Sequence, residues 1–353
     1  MNQNYLNSIK SVLVSIAFLS ASNVLAMPKN FPTTTPVRFI MMGDSGTGGP
    51  GQYLVATAIE KICTEHGCQF AVDAGDNIYE YGAKSSVDSQ FQSKFEKPYS
   101  KLNFPFFMAL GNHDQSGIVP GSGVYPAKGD YEVQYTKLSE KWMLPERYYK
   151  FAAPFAKADD YQARVAKPVI EFFVIDTNPL APQNKPQFDW YRPHKKYDSE
   201  QRAWLHQAIA ASDASWKVVV GHHPYRNNGR HRNAGEFFGI GLATGSELKE
   251  MYEHEVCGKV DLLATGHDHS LQWLKPYPKC GSRPQFIISG AAAKSYKRSS
   301  AETSYHANRA VWEKYDALGF FWVEASPKSL RIVSYTVDSE GHALKGVDEE
   351  LEK

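Results

Sequence analysis

Short apolar runs, rich in β-branched and aromatic side chains, recur along the chain and predict buried strands. They lie at residues 37–42, 70–74, 106–109, 169–176, 216–220, 260–265 and 286–289. Between several of them, apolar residues recur with the period of a helix, at 52–65, 199–211 and 246–255. Asp198 precedes the second of these segments and is a candidate helix cap. Strands that alternate with helices predict an α/β architecture.

Two further apolar runs near the end of the chain favour an antiparallel pair of strands. They span residues 319–325 and 330–337, and the Ser-Pro-Lys-Ser sequence between them suits a turn. Gly, Pro and polar residues are concentrated at 116–130 and 179–196, where we expect surface loops. The sequence shows neither an internal repeat nor a domain linker.

The first 26 residues have the pattern of a secretory signal peptide. Lys10 is followed by a short apolar stretch at 11–19 and by small residues that suit a cleavage site at Ala26. A membrane anchor is the weaker interpretation, because a span needs roughly 18 apolar residues. We therefore expect residues 1–26 to be removed and residues 27–353 to form a single exported catalytic domain, periplasmic or secreted.

The charge of the chain is nearly balanced. Its 353 residues, 42% of them hydrophobic, include 39 basic and 38 acidic residues. This content of apolar residues supports one large domain or two small domains, and we favour one large domain. We expect the protein to be a monomer. Because there is no bulk charge to attract nucleic acid or an anionic membrane, we expect neither as a partner. Any affinity for an anion must be local.

The chain has four cysteines, all after the predicted leader: Cys63, Cys68, Cys257 and Cys280. In an oxidising compartment an even number of cysteines indicates disulfides, and four cysteines allow three pairings. We favour Cys63 with Cys68 and Cys257 with Cys280, because each bond closes a short local loop. A cysteine metal site is less favoured, because the spacings are irregular.

Glycine-led motifs follow directly after five of the predicted strands. They are GD at 43–44, GDNIY at 75–79, GNHD at 111–114, GHH at 221–223 and GHDH at 266–269. Loops at the carboxyl ends of strands in an open α/β sheet bring residues that are distant in sequence to one point. One such motif proves little, because an Asp after a strand is often a helix cap and a lone His is often structural. The five together predict a metal site.

The ordered set GD, GDxxY, GNHD, VxxH and GHxH resembles that of the calcineurin-like metallophosphoesterase superfamily, and the Tyr of the second motif is typical of purple acid phosphatases. The resemblance spans residues 37–289, and segments 135–149 and 201–224 are similar to the small, tartrate-resistant, single-domain branch. It implies a four-layer α/β/β/α sandwich with the metal site at the carboxyl ends of strands.

The resemblance also implies two sets of metal ligands joined by a bridging carboxylate. It assigns a ferric ion to Asp44, Tyr79 and His269, a divalent ion to Asn112, His222 and His267, and the bridge to Asp76. A phenol with a pKa of about 10 becomes a ligand in acid only when a strongly acidic ion displaces its proton, so Tyr79 favours iron(III). Three anionic ligands against five positive charges leave the site able to attract phosphate. The second set suits iron(II), zinc or manganese equally.

Two histidines are candidates for catalysis without being metal ligands. His113, inside GNHD, is the first candidate for transition-state stabilisation and proton donation. His231 is the second, because the tartrate-resistant branch places a substrate-contacting histidine nine residues after the position of His222. The alternative for His231 is a surface residue in the arginine-rich loop 226–233. The VxxH spacing selects His222 as the ligand and leaves its neighbour His223 as a packing residue.

The function that the resemblance implies is an acid phosphatase that hydrolyses phosphate monoesters with a dinuclear Fe(III)–M(II) centre and a metal-bound hydroxide as nucleophile. One alternative is a phosphodiesterase or nucleotide phosphohydrolase with two divalent ions. Tyr79 discriminates between them, because iron bound to it would colour the protein. A redox-active iron protein or a metal-binding module is an alternative of another class. The sequence does not identify the physiological substrate.

Overall fold

The computed structural model describes residues 34–157, 160–181, 196–237, 244–299 and 307–353. The predicted leader, residues 1–26, lies outside the described residues, and so does most of the predicted loop 179–196. The signal peptide and the single mature domain therefore stay predictions. Among the described residues, no helix has both the length and the apolar character needed to cross a membrane.

The first of two seven-stranded sheets contains the first three motif-bearing strands. Its order is β14 (Ala343–Glu352), β13 (Ser329–Val337), β12 (Leu318–Ala325), β1 (Val37–Met42), β2 (Phe70–Asp73), β3 (Phe106–Met108) and β4 (Trp142–Met143). Strands β1 to β4 are parallel, whereas β12, β13 and β14 are joined by antiparallel pairing. The pairing of β12 with β13 confirms the antiparallel pair predicted near the end of the chain.

The second sheet contains the other two motif-bearing strands. Its order is β11 (Ala310–Lys314), β9 (Leu271–Leu274), β10 (Gln285–Ser289), β8 (Leu262–Thr265), β7 (Trp216–Val220), β6 (Ile170–Val174) and β5 (Tyr149–Ala153). The inner strands β10, β8, β7 and β6 are parallel, and antiparallel strands complete both edges. All seven apolar runs predicted as buried strands are strands in the two sheets.

Four α-helices fall within the described residues: α1 (Pro50–His66), α2 (Ala127–Tyr135), α3 (Tyr197–Ala211) and α4 (Ser246–Met251). Helix α1 packs on β12, β13 and β14 of the first sheet, whereas α3 packs on β6 of the second.

Alternate side chains of β7 show how these layers meet. Val218 and Val220 belong to the cluster that includes Phe39 of the first sheet, whereas Val219 belongs to the cluster that includes Leu205 of α3. The order helix, sheet, sheet, helix confirms the predicted α/β/β/α sandwich.

Two predicted segments differ from the structure. The helix predicted at 246–255 is divided, because α4 ends at Met251 and a wider π-helical turn, Tyr252–Val256, follows it. Residues 127–130, predicted as loop, begin α2 instead. Pro126 directly precedes that helix, and its fixed φ is compatible with a helix start.

Asp198 is not the cap of α3. The helix begins one residue earlier, at Tyr197, and has no side-chain cap. The Asp198 carboxylate instead accepts a hydrogen bond from Arg202 Nε, one turn further along, at 3.1 Å. An acidic residue in the first turn still stabilises the helix through its dipole.

The disulfide prediction is confirmed. Cys63 in the last turn of α1 is bonded to Cys68, and Cys257 after the π-helical turn is bonded to Cys280. The first bond closes a loop across a sequence separation of 5 residues, and the second across 23 residues.

Candidate metal centre

The five glycine-led motifs meet where strands of the two sheets end. Three of their residues, Asp44, Asp76 and His267, have positive φ angles of 58°, 59° and 66°. Such angles are uncommon outside glycine and cluster at functional sites. Each of these side chains therefore leaves its strand through a sharp turn that aims it at the common point.

Two glycines make room for the carboxylates. A Cβ atom at Gly111 would lie 2.2 Å from Asp76 Oδ1, and one at Gly266 would lie 2.3 Å from Asp44 Oδ2. Both distances are far below any van der Waals contact. The glycine that opens each of these motifs is therefore required by the close approach of a carboxylate from another loop.

The three residues predicted for a ferric ion lie together. The Tyr79 hydroxyl donates to Asp44 Oδ1 at 2.9 Å and lies 3.1 Å from His269 Nε2. His269 Nε2 is 3.3 Å from the same carboxylate oxygen. One carboxylate, one phenol and one imidazole thus point at a single small volume.

The three residues predicted for the divalent ion form a second group beside the first. His222 Nε2 is 2.8 Å from Asn112 Oδ1, 3.2 Å from His267 Nδ1 and 3.4 Å from Asp76 Oδ1. Ligand atoms of Asp44, Asp76 and His222 all lie within 4.8 Å of one another. Asp76 therefore stands between the two groups, in the position predicted for a bridge.

The orientation of His222 suits a metal ligand. Its Nδ1 lies 2.8 Å from the carbonyl oxygen of Ala74 and donates to it, which leaves Nε2 as the ligand nitrogen. Nε2 faces the amide oxygen of Asn112 and the carboxylate of Asp76, both of which are acceptors. These converging oxygens require a positive charge at Nε2, which a proton or a bound metal ion would supply.

The electrostatics of the buried cluster also require a positive charge at this site. Burial lowers the pKa of His222, but the Asp76 carboxylate, the charge of Asp44 and the hydrogen bond to the Ala74 carbonyl together outweigh burial and raise that pKa to about 9. Burial, followed by the charges of Asp44 and Asp76, raises the pKa of Tyr79 well above its ordinary value. A tyrosinate at this position therefore needs a strongly acidic cation, and the donor set fits the ferric and divalent pair.

Asp114 is a buried residue of the third motif to which the sequence assigned no role. Its carboxylate accepts backbone hydrogen bonds from Gly111 at 2.7 Å, Asp76 at 3.0 Å and Ile78 at 2.9 Å. Burial raises its pKa to about 7 in spite of these donors. Asp114 therefore fixes the second and third motif loops to each other. The sequence feature that could have identified this residue is its place within the GNHD motif.

Asp268, between the two ligands of the last motif, has a similar role. It accepts hydrogen bonds from Asn227 Nδ2 at 2.9 Å, the Tyr296 hydroxyl at 2.6 Å and the backbone N–H of His231 at 3.1 Å. Burial would raise its pKa, but His231, Tyr296 and Asn227 hold the pKa below its ordinary value. Asp268 thus fixes the loop 226–233 to the metal centre.

A cleft with a volume of about 440 Å³ lies above the predicted metal ligands. The two histidines predicted for catalysis both line this cleft. His113 Nδ1 donates to the carbonyl oxygen of Glu80 at 2.8 Å, and its backbone N–H donates to Asp76 Oδ1 at 2.8 Å. The ring of His231 lies 4.1 Å from that of His267, centroid to centroid. His231 is therefore part of the cleft and not a remote surface residue.

The arginine-rich loop contributes unequally to the cleft. Arg230 is among the lining residues, and its guanidinium lies 4.1 Å above the ring of Tyr296. Arg226 instead stacks on Tyr277 at 4.0 Å and donates to Asn308 Oδ1. The basic character of this loop therefore reaches the cleft through Arg230.

His223 lies beside the ligand group and also lines the cleft. Its Nδ1 is 2.8 Å from Thr177 Oγ1, and its ring is 4.5 Å from that of His267. It could approach an ion together with His222 and His267, but it has no contact with Asn112 or Asp76 of the kind that His222 makes. Among the described contacts, His222 is the histidine whose side chain meets both Asn112 and Asp76, the residue between the two ligand groups.

Residues 37–271 match the family described as calcineurin-like phosphoesterase, and the chain belongs to that family. The match covers all five strand-end motifs completely. The residues that carry the family resemblance are therefore those that the fold brings together.

Within that family, the resemblance to purple acid phosphatases is confirmed. The chain is 28% identical to purple acid phosphatase 3 of Arabidopsis thaliana over 322 residues, covering 88% of this chain and 77% of that protein. It is 26% identical to tartrate-resistant acid phosphatase type 5 of Mus musculus over 336 residues, or 89% and 90% of the two chains. Among solved structures, it is similar to GAP50, the anchor in the inner membrane complex of Plasmodium. The two structures have a TM-score of 0.64 and 20% sequence identity, and the similarity covers 90% of this chain and 88% of GAP50. This similarity shows the fold alone.

Proposed function

We propose that this protein is an acid phosphatase that hydrolyses phosphate monoesters at a dinuclear Fe(III)–M(II) centre. The observation that carries the proposal is the Tyr79 hydroxyl, which lies between Asp44 and His269 at 2.9 and 3.1 Å, beside the group of Asn112 and His222. The similarity to plant and mammalian acid phosphatases supports the same function.

In this proposal the seven ligand side chains hold two ions, of which the second is iron, zinc or manganese. When bound, the ions would hold the phosphate group and activate a water molecule for in-line attack. The chain itself excludes bulk water from the ligand side, because Asp44, Asp76 and His222 are almost completely buried. The cleft stays open on the other side, where the leaving group of the ester would lie.

His113 has the position of a proton donor to the leaving group. Because its Nδ1–H is held by the carbonyl oxygen of Glu80, Nε2 is the nitrogen that can deliver a proton. His231 and Arg230 line the same cleft and would contact the rest of the substrate. We place the protein outside the cytoplasm, periplasmic or secreted, and the two disulfides support that placement.

The visible spectrum of the iron-loaded mature protein tests the ferric centre. We expect a charge-transfer band from Tyr79 to iron that is lost in Tyr79→Phe and kept in Tyr53→Phe, a control at a tyrosine that is 43% exposed. A colourless wild type that is fully metallated and active would contradict the ferric centre. Faster turnover of aryl phosphate diesters than of monoesters would instead support the phosphodiesterase.

A further inference from the structure

Lys294 places a positive charge against the face of Tyr79. It lies in the segment that follows β10, and its Nζ is 3.6 Å from the centroid of the Tyr79 ring. This distance is well inside the range of about 6 Å for a cation–π contact. The side chain of Lys294 is 30% exposed, so its charge is only partly screened by solvent.

The charge of Lys294 is paired. Its Nζ lies 2.6 Å from Glu80 Oε1, and Glu80 directly follows Tyr79 in the chain. The other carboxylate oxygen of Glu80 is 3.5 Å from His113 Nδ1, and the Glu80 carbonyl holds the same nitrogen. The ion pair therefore joins the loop after β10 to the loop that carries Tyr79, and Glu80 connects this pair to His113 on the next motif loop.

A cation beside a tyrosinate ring changes how strongly the ring donates electrons. Light absorbed in a charge-transfer band moves electron density from the ring toward the metal ion, which leaves the ring less negative. A nearby positive charge stabilises the ring before this transfer more than after it, so the transition needs more energy. A nearby negative charge has the opposite effect.

We propose that Lys294 and Glu80 act as an opposed pair of charges that sets the electron-donating strength of Tyr79 toward a bound ferric ion. Lys294 weakens the donation, and Glu80 limits that effect by partial neutralisation. The inference rests on the proposed ferric centre. It makes Lys294 and Glu80 positioning residues, which act on the ion through Tyr79 and on the cleft through His113.

The test is the visible spectrum of iron-loaded variants. We expect Lys294→Met to move the charge-transfer band to longer wavelength, because the cation is lost. Glu80→Gln should move it to shorter wavelength, because the cation is no longer balanced. Lys294→Arg keeps the charge and should restore a band close to that of the wild type. The reduction potential of the ferric ion should fall in Lys294→Met and rise in Glu80→Gln.

Opposite shifts distinguish electrostatic tuning from a structural role. If the pair served only to hold the loops, both neutral variants would disturb Tyr79 in the same way, and Lys294→Met and Glu80→Gln would shift or broaden the band alike. Lys101→Met is the matched control, because this lysine is 73% exposed and pairs with Glu60. It should leave the spectrum unchanged.

The two proposals fail in different ways. A wild type without a charge-transfer band would overturn the ferric centre and this inference together. A wild-type band that stays in place in Lys294→Met and in Glu80→Gln would overturn the inference alone. If Lys294→Met does not fold, Glu80→Gln by itself still decides, because an unchanged band or a shift to longer wavelength contradicts the proposal.

Discussion

Among the described residues, the His113 ring is hydrogen-bonded through one nitrogen only, which gives it a defined role in the cleft. Nδ1 is engaged by the Glu80 carbonyl, and a Cβ at Gly121 would lie 2.8 Å from Nε2. The glycine therefore keeps free the space beside the nitrogen that would deliver a proton. Gly121 also has a φ of 67° and accepts a hydrogen bond from Asn112 Nδ2 at 2.8 Å, which holds the loop in place.

His113→Ala should slow turnover most for esters with poor leaving groups. An alkoxide needs a proton as it departs and an activated phenolate does not, so we expect a loss of about 100-fold or more in kcat for alkyl phosphates and a smaller loss for nitrophenyl phosphate. His206→Ala is the control, at a histidine that is 60% exposed on α3. Equal losses for both substrates would contradict proton donation.

The ligands and the supporting residues differ in how far the sequence could predict them. Asp76, Tyr79 and the other ligands stand at fixed places in short motifs, so the sequence predicts their convergence. Lys294 stands in no motif, and its contact with Tyr79 depends on the approach of two loops from different sheets. The signal that could have found it was Gly290, a glycine directly after a predicted strand, as in the five motifs.

At the scale of elements, a continuous apolar run decided which strands the sequence could predict. The inner strands β2, β7 and β8 are apolar along most of their length because a layer covers each face. Strands β9 and β11 include polar residues such as Gln272 and Glu313, which bind to the loop 226–233 through side-chain hydrogen bonds. Their pairing depends on these tertiary contacts, so no local apolar run marks them.

One tyrosine hydroxyl adds to the contacts of Asp268, Gln272 and Glu313 that hold the loop 226–233. The Tyr296 hydroxyl donates to Asp268 Oδ1 at 2.6 Å and accepts from the backbone N–H of Arg230 at 2.6 Å. A Cβ at Gly229 would lie 2.3 Å from that hydroxyl oxygen, so the loop backbone packs directly on it.

Tyr296→Phe should loosen this loop and weaken substrate binding. We expect a higher KM, a stability loss of about 1 kcal/mol, and faster hydrogen exchange in residues 226–233. The charge-transfer band should stay in place, because the ligands are not touched. Tyr53→Phe serves again as the control. An unchanged KM with unchanged exchange would show that the other contacts of the loop hold it without this hydroxyl.

At the scale of the whole molecule, the two disulfides should stabilise the fold unequally. The cost of closing a loop in the unfolded chain grows with its length, and the two bonds span 5 and 23 residues. We expect a loss of about 2 kcal/mol when Cys63 and Cys68 are both replaced by Ala, and about 3 kcal/mol for Cys257 and Cys280. Chemical denaturation of the two double variants measures the difference, and the reverse order would contradict the expectation.

The last strand of the first sheet affects the tendency of the protein to aggregate in concentrated solution. Among the described residues, strand β14 is an edge strand of the first sheet, and its sequence, ALKGVDEELE, places one lysine and four acidic residues in ten positions. Backbone groups along such an edge are a template for another chain, but approaching copies would bring like charges together. The acidic edge therefore protects the sheet against edge-to-edge aggregation.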